Sequence, residues 1–145
     1  MYHRIVVGTD GSATADKAVE TAASLARQLG ATLHVVTAYR KSGSGMGSAS
    51  GAALVETGAS EGLQAEAARQ IGEKAAATWG QGLTTEQHAV SGSAADAILD
   101  TALAVDADLI VVGSKGMQGA RRVLGSVPNS VAHGASSSVL IVKTD

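Results

Sequence analysis

Residues 111–130 read VVGSKGMQGARRVLGSVPNS, placing four glycines, Lys115, Arg121 and Arg122 directly behind a hydrophobic run. Phosphate oxygens need several converging N–H donors, and glycine lets the main chain come close in conformations other residues avoid. Gly125-Ser126-Val127-Pro128 leads into a helix, with Pro128 as its expected first residue. A helix start exposes unpaired N–H groups and the positive end of its dipole. Ser126 either caps that helix or hydrogen-bonds a phosphate. Lys115 and the two arginines either neutralise phosphate charge or stay solvated, and the same residues also suit a plain turn and cap.

A second turn, GTDGS (Gly8 to Ser12), ends the first apolar run of the chain. Asp in such a turn is ordinarily a turn or cap residue. At the end of a strand that opens onto a ligand crevice it would instead contact the ligand. Ser12 either caps the next helix or touches phosphate.

The elements that must position these turns follow from periodicity. IVVG, Ile5 to Gly8, is a short buried strand. Ala15, Ala18, Val19, Ala22, Leu25, Ala26 and Leu29 mark one face of a helix that Gly30 ends. TLHVVTAY, Thr32 to Tyr39, is a second strand, so the unit is a right-handed parallel crossover. Residues 40–58 hold five glycines and four serines. That stretch, about 40–58, reads as a flexible insertion or as a lid over a ligand.

Leu63, Ala67, Ile71, Ala75 and Trp79 mark a second helix, and Thr84 to Val90 alternates as a strand at a sheet edge. Ser93 and Asp96 have capping-box spacing ahead of a third helix with Ile98, Leu99, Ala102 and Val105 as its stripe. DLIVVG, Asp108 to Gly113, is the most apolar strand and must lie centrally. A helix around Asn129 to Gly134 and a strand from Ser138 to Thr144 complete the chain. The expectation is an α/β fold, one domain over residues 1–145: a doubly wound three-layer sandwich on a five-stranded parallel sheet in the order 3-2-1-4-5. Strands one and four then lie side by side, and ligands bind in the crevice beyond their carboxyl ends. Both glycine-bearing turns face it.

Composition excludes several classes. The 145 residues carry a formal charge of −2, which argues against a nucleic-acid partner. There is no cysteine, so disulfides, thiolate catalysis and Cys-ligated zinc are absent. With no Phe, one Trp and two Tyr, the core must be Val, Leu, Ile and Ala. The start MYHRIVVGTDGS lacks the regions of a signal peptide, and no apolar run suits a membrane helix. The expectation is a cytoplasmic protein. No Gly-x4-Gly-Lys-(Ser/Thr) loop occurs, and GTDGS is not a dinucleotide fingerprint. His3, His34, His88 and His133 are scattered without metal-ligand spacing and read as structural or surface residues, so no protein-held metal is expected. No Ser-His-Asp set can be assembled.

IVVGTDGS, DADLIVVGSKG, LGSVPNSVAH and SSVLIVK together resemble the universal stress protein family over essentially the whole chain. Its nucleotide-binding members carry Gly-x2-Gly-x9-Gly-(Ser/Thr). Gly113, Gly116, Gly125 and Ser126 match it, with eight residues rather than nine in the longer gap. The resemblance implies ATP or a related adenine nucleotide, such as AMP or cyclic AMP, as ligand; the phosphate cradle itself would admit Mg²⁺ with the phosphates. It implies that Asp10 orients the nucleoside, that Ala38 contacts adenine and that Val112 and Gly113 line the pocket floor. Gly116, Gly125, Ser126 and Val127 would meet ribose and phosphates, with Gly8, Thr9, Ser12 and Lys115 around them. It also implies a homodimer through the last strand, Ser138 to Lys143. The function expected is a regulatory stress-response protein; a slow ATPase and a dimeric interaction module without nucleotide are the alternatives.

Overall fold

The computed structural model describes residues 1–40, 57–114 and 125–144, with only the backbone of 57–60. The Gly/Ser-rich stretch is therefore almost wholly outside the described residues, as are Lys115, Gly116, Arg121 and Arg122. In chain order the elements are β1 (Arg4–Gly8), α1 (Ala13–Leu29), β2 (Thr32–Tyr39), α2 (Thr57–Trp79), β3 (Thr85–Ser91), α3 (Ala94–Ala104), β4 (Leu109–Gly113), α4 (Ser126–Gly134) and β5 (Ser138–Val142). The strands form one sheet in the order β3-β2-β1-β4-β5, every pair parallel.

Alternation along the strands splits the core in two. Ile5, Val7, Leu33, Val35 and Val111 meet the alanine face of α1 on one side. Val6, Val36, Ile110 and Val112 meet Ala97, Ile98 and Ala102 of α3 and Val131 of α4 on the other. β1 and β4 are buried along most of their length, as their uninterrupted apolar runs require. Alanine does on α1 what larger residues do elsewhere: Ala18, Ala22, Ala23 and Ala26 are buried and let the helix sit close to the sheet.

Both serine caps form. Ser12 Oγ accepts from the Ala15 N–H at 3.2 Å and Ser93 Oγ from the Asp96 N–H at 3.2 Å, each satisfying one of the donors a helix start leaves unpaired. Gly30 closes α1 with φ 67°.

Two expectations need correction. On α2 the buried positions are Ala68, Gly72, Ala75 and Ala76, while Leu63 is 73% exposed and Ala67 is also outward. Packing there follows the small residues, which bring the helix close to β2 and β3: a Cβ on Gly72 would lie 3.4 Å from Gln87 Cβ. And α4 begins at Ser126, three residues earlier than its apolar pattern suggests, with Gly125 as N-cap and no side-chain cap bond. Pro128 is thus the third helical residue, not the first. Its missing N–H costs nothing there, because first-turn N–H groups have no intrahelical acceptor.

Candidate functional site

β1 and β4 are neighbours, with Val7 in register with Val111. Their carboxyl ends open together onto one cavity of about 470 Å³. That is within the range of small-ligand sites, roughly 300–1,000 Å³. Gly8, Thr9, Asp10 and Ser12 enter from the first turn, Ala38 from β2, Val112 and Gly113 from β4, and Gly125, Ser126 and Val127 from the start of α4. Ten of the twelve residues expected to form a site therefore share a wall; Lys115 and Gly116 lie outside the described residues.

The β1 turn is fixed by its own hydrogen bonds. The Thr9 N–H continues the sheet by donating to Val36 C=O at 2.9 Å. Thr9 Oγ1 accepts from the Gly11 N–H at 3.1 Å, and Asp10 Oδ1 accepts from the Ser12 N–H at 2.9 Å. Gly11 takes φ 81°, the left-handed region that lets the chain reverse into α1. The Ser12 hydroxyl also lies 3.2 Å from Thr14 Oγ1, so capping and lining the cavity fall to one side chain.

Close approach explains two further glycines. A Cβ on Gly8 would lie 2.5 Å from Ile98 Cδ1, and one on Gly113 would lie 2.9 Å from Thr144 Cγ2. Their bareness admits α3 and the end of the chain to the cavity rim. Thr144 is held there: its N–H donates to Ser114 Oγ at 3.1 Å and its C=O accepts from Lys17 Nζ at 3.1 Å. Thr144 and Ile98 were missed in the sequence, because no local motif marks a residue that reaches a site by packing.

The cavity is divided chemically. Val36, Ala38, Ile98 and Val112 form an apolar wall, while Thr9, Asp10, Ser12, Ser126 and Thr144 offer polar groups. At α4 the Asn129 N–H donates to Gly125 C=O at 3.0 Å and Pro128 has no N–H, so the Ser126 and Val127 N–H groups are left without an intrahelical acceptor at the cavity edge. Asp10 is the one titratable side chain among the described lining residues. An apolar wall beside helix-start amides suits a ligand with a heterocycle at one end and negative charge at the other.

The family model for the universal stress protein family matches residues 1–143. The chain belongs to the universal stress protein family. A universal stress protein of Mycobacterium tuberculosis is 33% identical over 149 aligned positions, covering 99% of this chain and 97% of the relative. Among solved structures, a universal stress protein in complex with cAMP is 34% identical, covers 99% of both chains and superposes with a TM-score of 0.74. A universal stress protein from Archaeoglobus fulgidus in complex with dAMP is 28% identical over 98% of both chains, with a TM-score of 0.60.

The fold also unites residues that the sequence kept apart. His34 and Glu86, with His88, bring three ligating atoms within 4.8 Å of one another, although the spacing of the histidines shows no metal pattern.

Proposed function

We propose that this universal stress protein binds an adenine nucleotide in the β1/β4 crevice and acts as a regulatory stress-response protein. The observation that carries the reading is the shared opening of the two strand ends onto a cavity with an apolar wall and two helix-start amides that have no intrahelical acceptor. Adenine would lie against Val36, Ala38 and Val112, Asp10 would orient the ribose, and the Ser126 and Val127 amides would receive the phosphate. The cAMP and dAMP complexes of the two related proteins support an adenine nucleotide as the class. ATP, AMP and cyclic AMP share these contacts, and Mg²⁺ would enter with a polyphosphate rather than through a dedicated protein cage.

The residues suit binding better than turnover. A hydrolytic step would draw on Asp10 as base, yet one of its oxygens already accepts from the Ser12 N–H. Calorimetry with ATP, AMP and cyclic AMP tests the reading, with Ala38→Trp filling the adenine wall. At least one nucleotide should bind, and the variant should lose about 100-fold or more in affinity, equivalent to ~2.7 kcal/mol. Absence of binding by all three at millimolar ligand would refute it and favour the interaction module.

The proposed homodimer would use β5, which pairs only with β4 among the described residues. Val139 and Ile141 pack inward on the α3/α4 side, whereas Leu140 is 36% exposed on a short apolar edge that can template a second strand. Leu140→Lys should lower the mass measured by light scattering from dimer to monomer. An unchanged dimer mass would place the interface elsewhere. The proposed setting is the cytoplasm; no helix among the described residues is long and apolar enough to cross a membrane.

A further inference from the structure

The β2–β3 edge carries a second group of chemistry-bearing side chains. Register sets Glu86 beside His34 and His88 beside Val36. Alternation turns all four to the α3 side of the sheet, where Val36 packs in the cluster with Ile98 and Ala102. His34 Nδ1 lies 3.1 Å from His88 Nε2 and 3.4 Å from Glu86 Oε2, and that same oxygen is 4.0 Å from His88 Nε2. The point equidistant from three atoms sits at the product of the edges divided by four times the triangle's area. For these edges that distance is about 2.1 Å, the length of a zinc–imidazole or zinc–carboxylate bond.

Hydrogen bonding alone serves this group poorly. An uncharged imidazole nitrogen offers either one N–H or one lone pair. If His34 Nδ1 accepts from His88, its lone pair also faces the Glu86 carboxylate; if it donates, one proton is split between two acceptors. A cation at the centre would lie within bonding distance of all three donor atoms at once. Two imidazoles and one carboxylate select a transition metal over calcium or magnesium. The 3.1 and 3.4 Å edges exceed the roughly 3.0 Å of mutually cis ligands in an octahedron, and with the 4.0 Å Glu86–His88 edge shortened the three atoms approach a tetrahedral face, which favours zinc.

We propose that His34, Glu86 and His88 bind one divalent zinc ion in an open three-ligand site that solvent completes. The His34 side chain is 5% exposed and anchors the site, while Glu86 at 57% and His88 at 26% leave an entry side and allow the longest edge to close by side-chain rotation. Burial pushes the His34 imidazole below its ordinary value, opposed by the Glu86 carboxylate and reinforced by His88 and Arg4. Among the described residues Arg4 is the cationic group that opposes the ion. Its guanidinium is engaged by Asp106, whose C=O accepts at 3.2 Å and whose carboxylate lies at 3.7 Å.

The site stands apart from the nucleotide reading and is tested without nucleotide. The full chain is titrated with Zn²⁺ at neutral pH by calorimetry, and with Co²⁺ by visible absorption. One ion per chain should bind with micromolar affinity or better, and Co²⁺ should give the intense bands of tetrahedral coordination. His88→Gln and Glu86→Gln alter the more exposed ligands and should leave the fold intact by circular dichroism. Each should weaken Zn²⁺ by at least about 30-fold and abolish the Co²⁺ bands. Unchanged affinity in either variant, or no stoichiometric uptake by the wild type at about 100 μM Zn²⁺, overturns the proposal.

Discussion

The crevice beyond β1 and β4 and the triad on the β2–β3 edge are both products of parallel register, but they are encoded differently. The polar side of the crevice is built largely from turns, each contiguous in sequence: Gly8 to Ser12 and Gly125 to Pro128 carry their own capping, φ and N–H logic. The triad is built from side chains that meet only because β2 and β3 align His34 with Glu86 across more than fifty residues of chain. Backbone-mediated sites are local, and side-chain sites are not. The first kind announces itself in a motif; the second emerges from the sheet.

The two regions therefore respond to different changes. The largest expected effect is Ala38→Trp, with its loss of about 100-fold in nucleotide affinity. Zn²⁺ binding by the same variant should stay within about twofold, since sites without shared partners behave independently. Coupled losses in both titrations would show that β2 transmits between them. Next is the zinc loss in Glu86→Gln, which should leave nucleotide affinity unaltered by the same calorimetry.

A smaller effect separates packing from chemistry. Gly8→Val drives a side chain into Ile98, whose Cδ1 lies 2.5 Å from the new Cβ. Overpacking of this kind should cost about 1–3 kcal/mol in urea unfolding, and it should shift α3 at the crevice rim. A variant as stable as the wild type would mean that Ile98 rotates away freely.

The smallest effect is in pH. His34 has its value lowered in the folded state from the ordinary 6.5, so the unfolded chain binds its proton more readily. Its contribution is fully present above about 6.5 and is lost as pH falls through the lower folded value. In metal-free protein the thermal midpoint should fall between pH 7 and pH 5, and less steeply in His34→Asn. The groups facing His34 are Glu86, His88 and Arg4. Equal slopes in the two proteins would mean that His34 is not the responsible group.

The particular elements show why parts of the molecule were legible. IVVG and LIVVG are apolar without interruption, as buried central strands require, and that makes β1 and β4 neighbours at the winding reversal. Ser12 and Ser93 announced their helix starts because capping is a local hydrogen bond. α2 misled because alanine and glycine scarcely distinguish a buried face from an exposed one: Leu63 suggested the stripe, and Ala68 and Gly72 made it. The start of α4 lies earlier than its apolar pattern indicates because Pro128 fits any of the first few positions, so it marks a first turn without naming the residue. Thr144 reached the cavity through Ser114 and Lys17, which no local pattern could reveal.

The most direct measurement is amide NMR of the isotopically labelled chain during titration with AMP. Shifts should concentrate at Thr9, Asp10, Ala38, Gly113, Ser126 and Val127, while Glu86 and His88 stay still. Shifts confined to the β3 edge or α2, or none at millimolar AMP, ATP or cyclic AMP, would contradict the account.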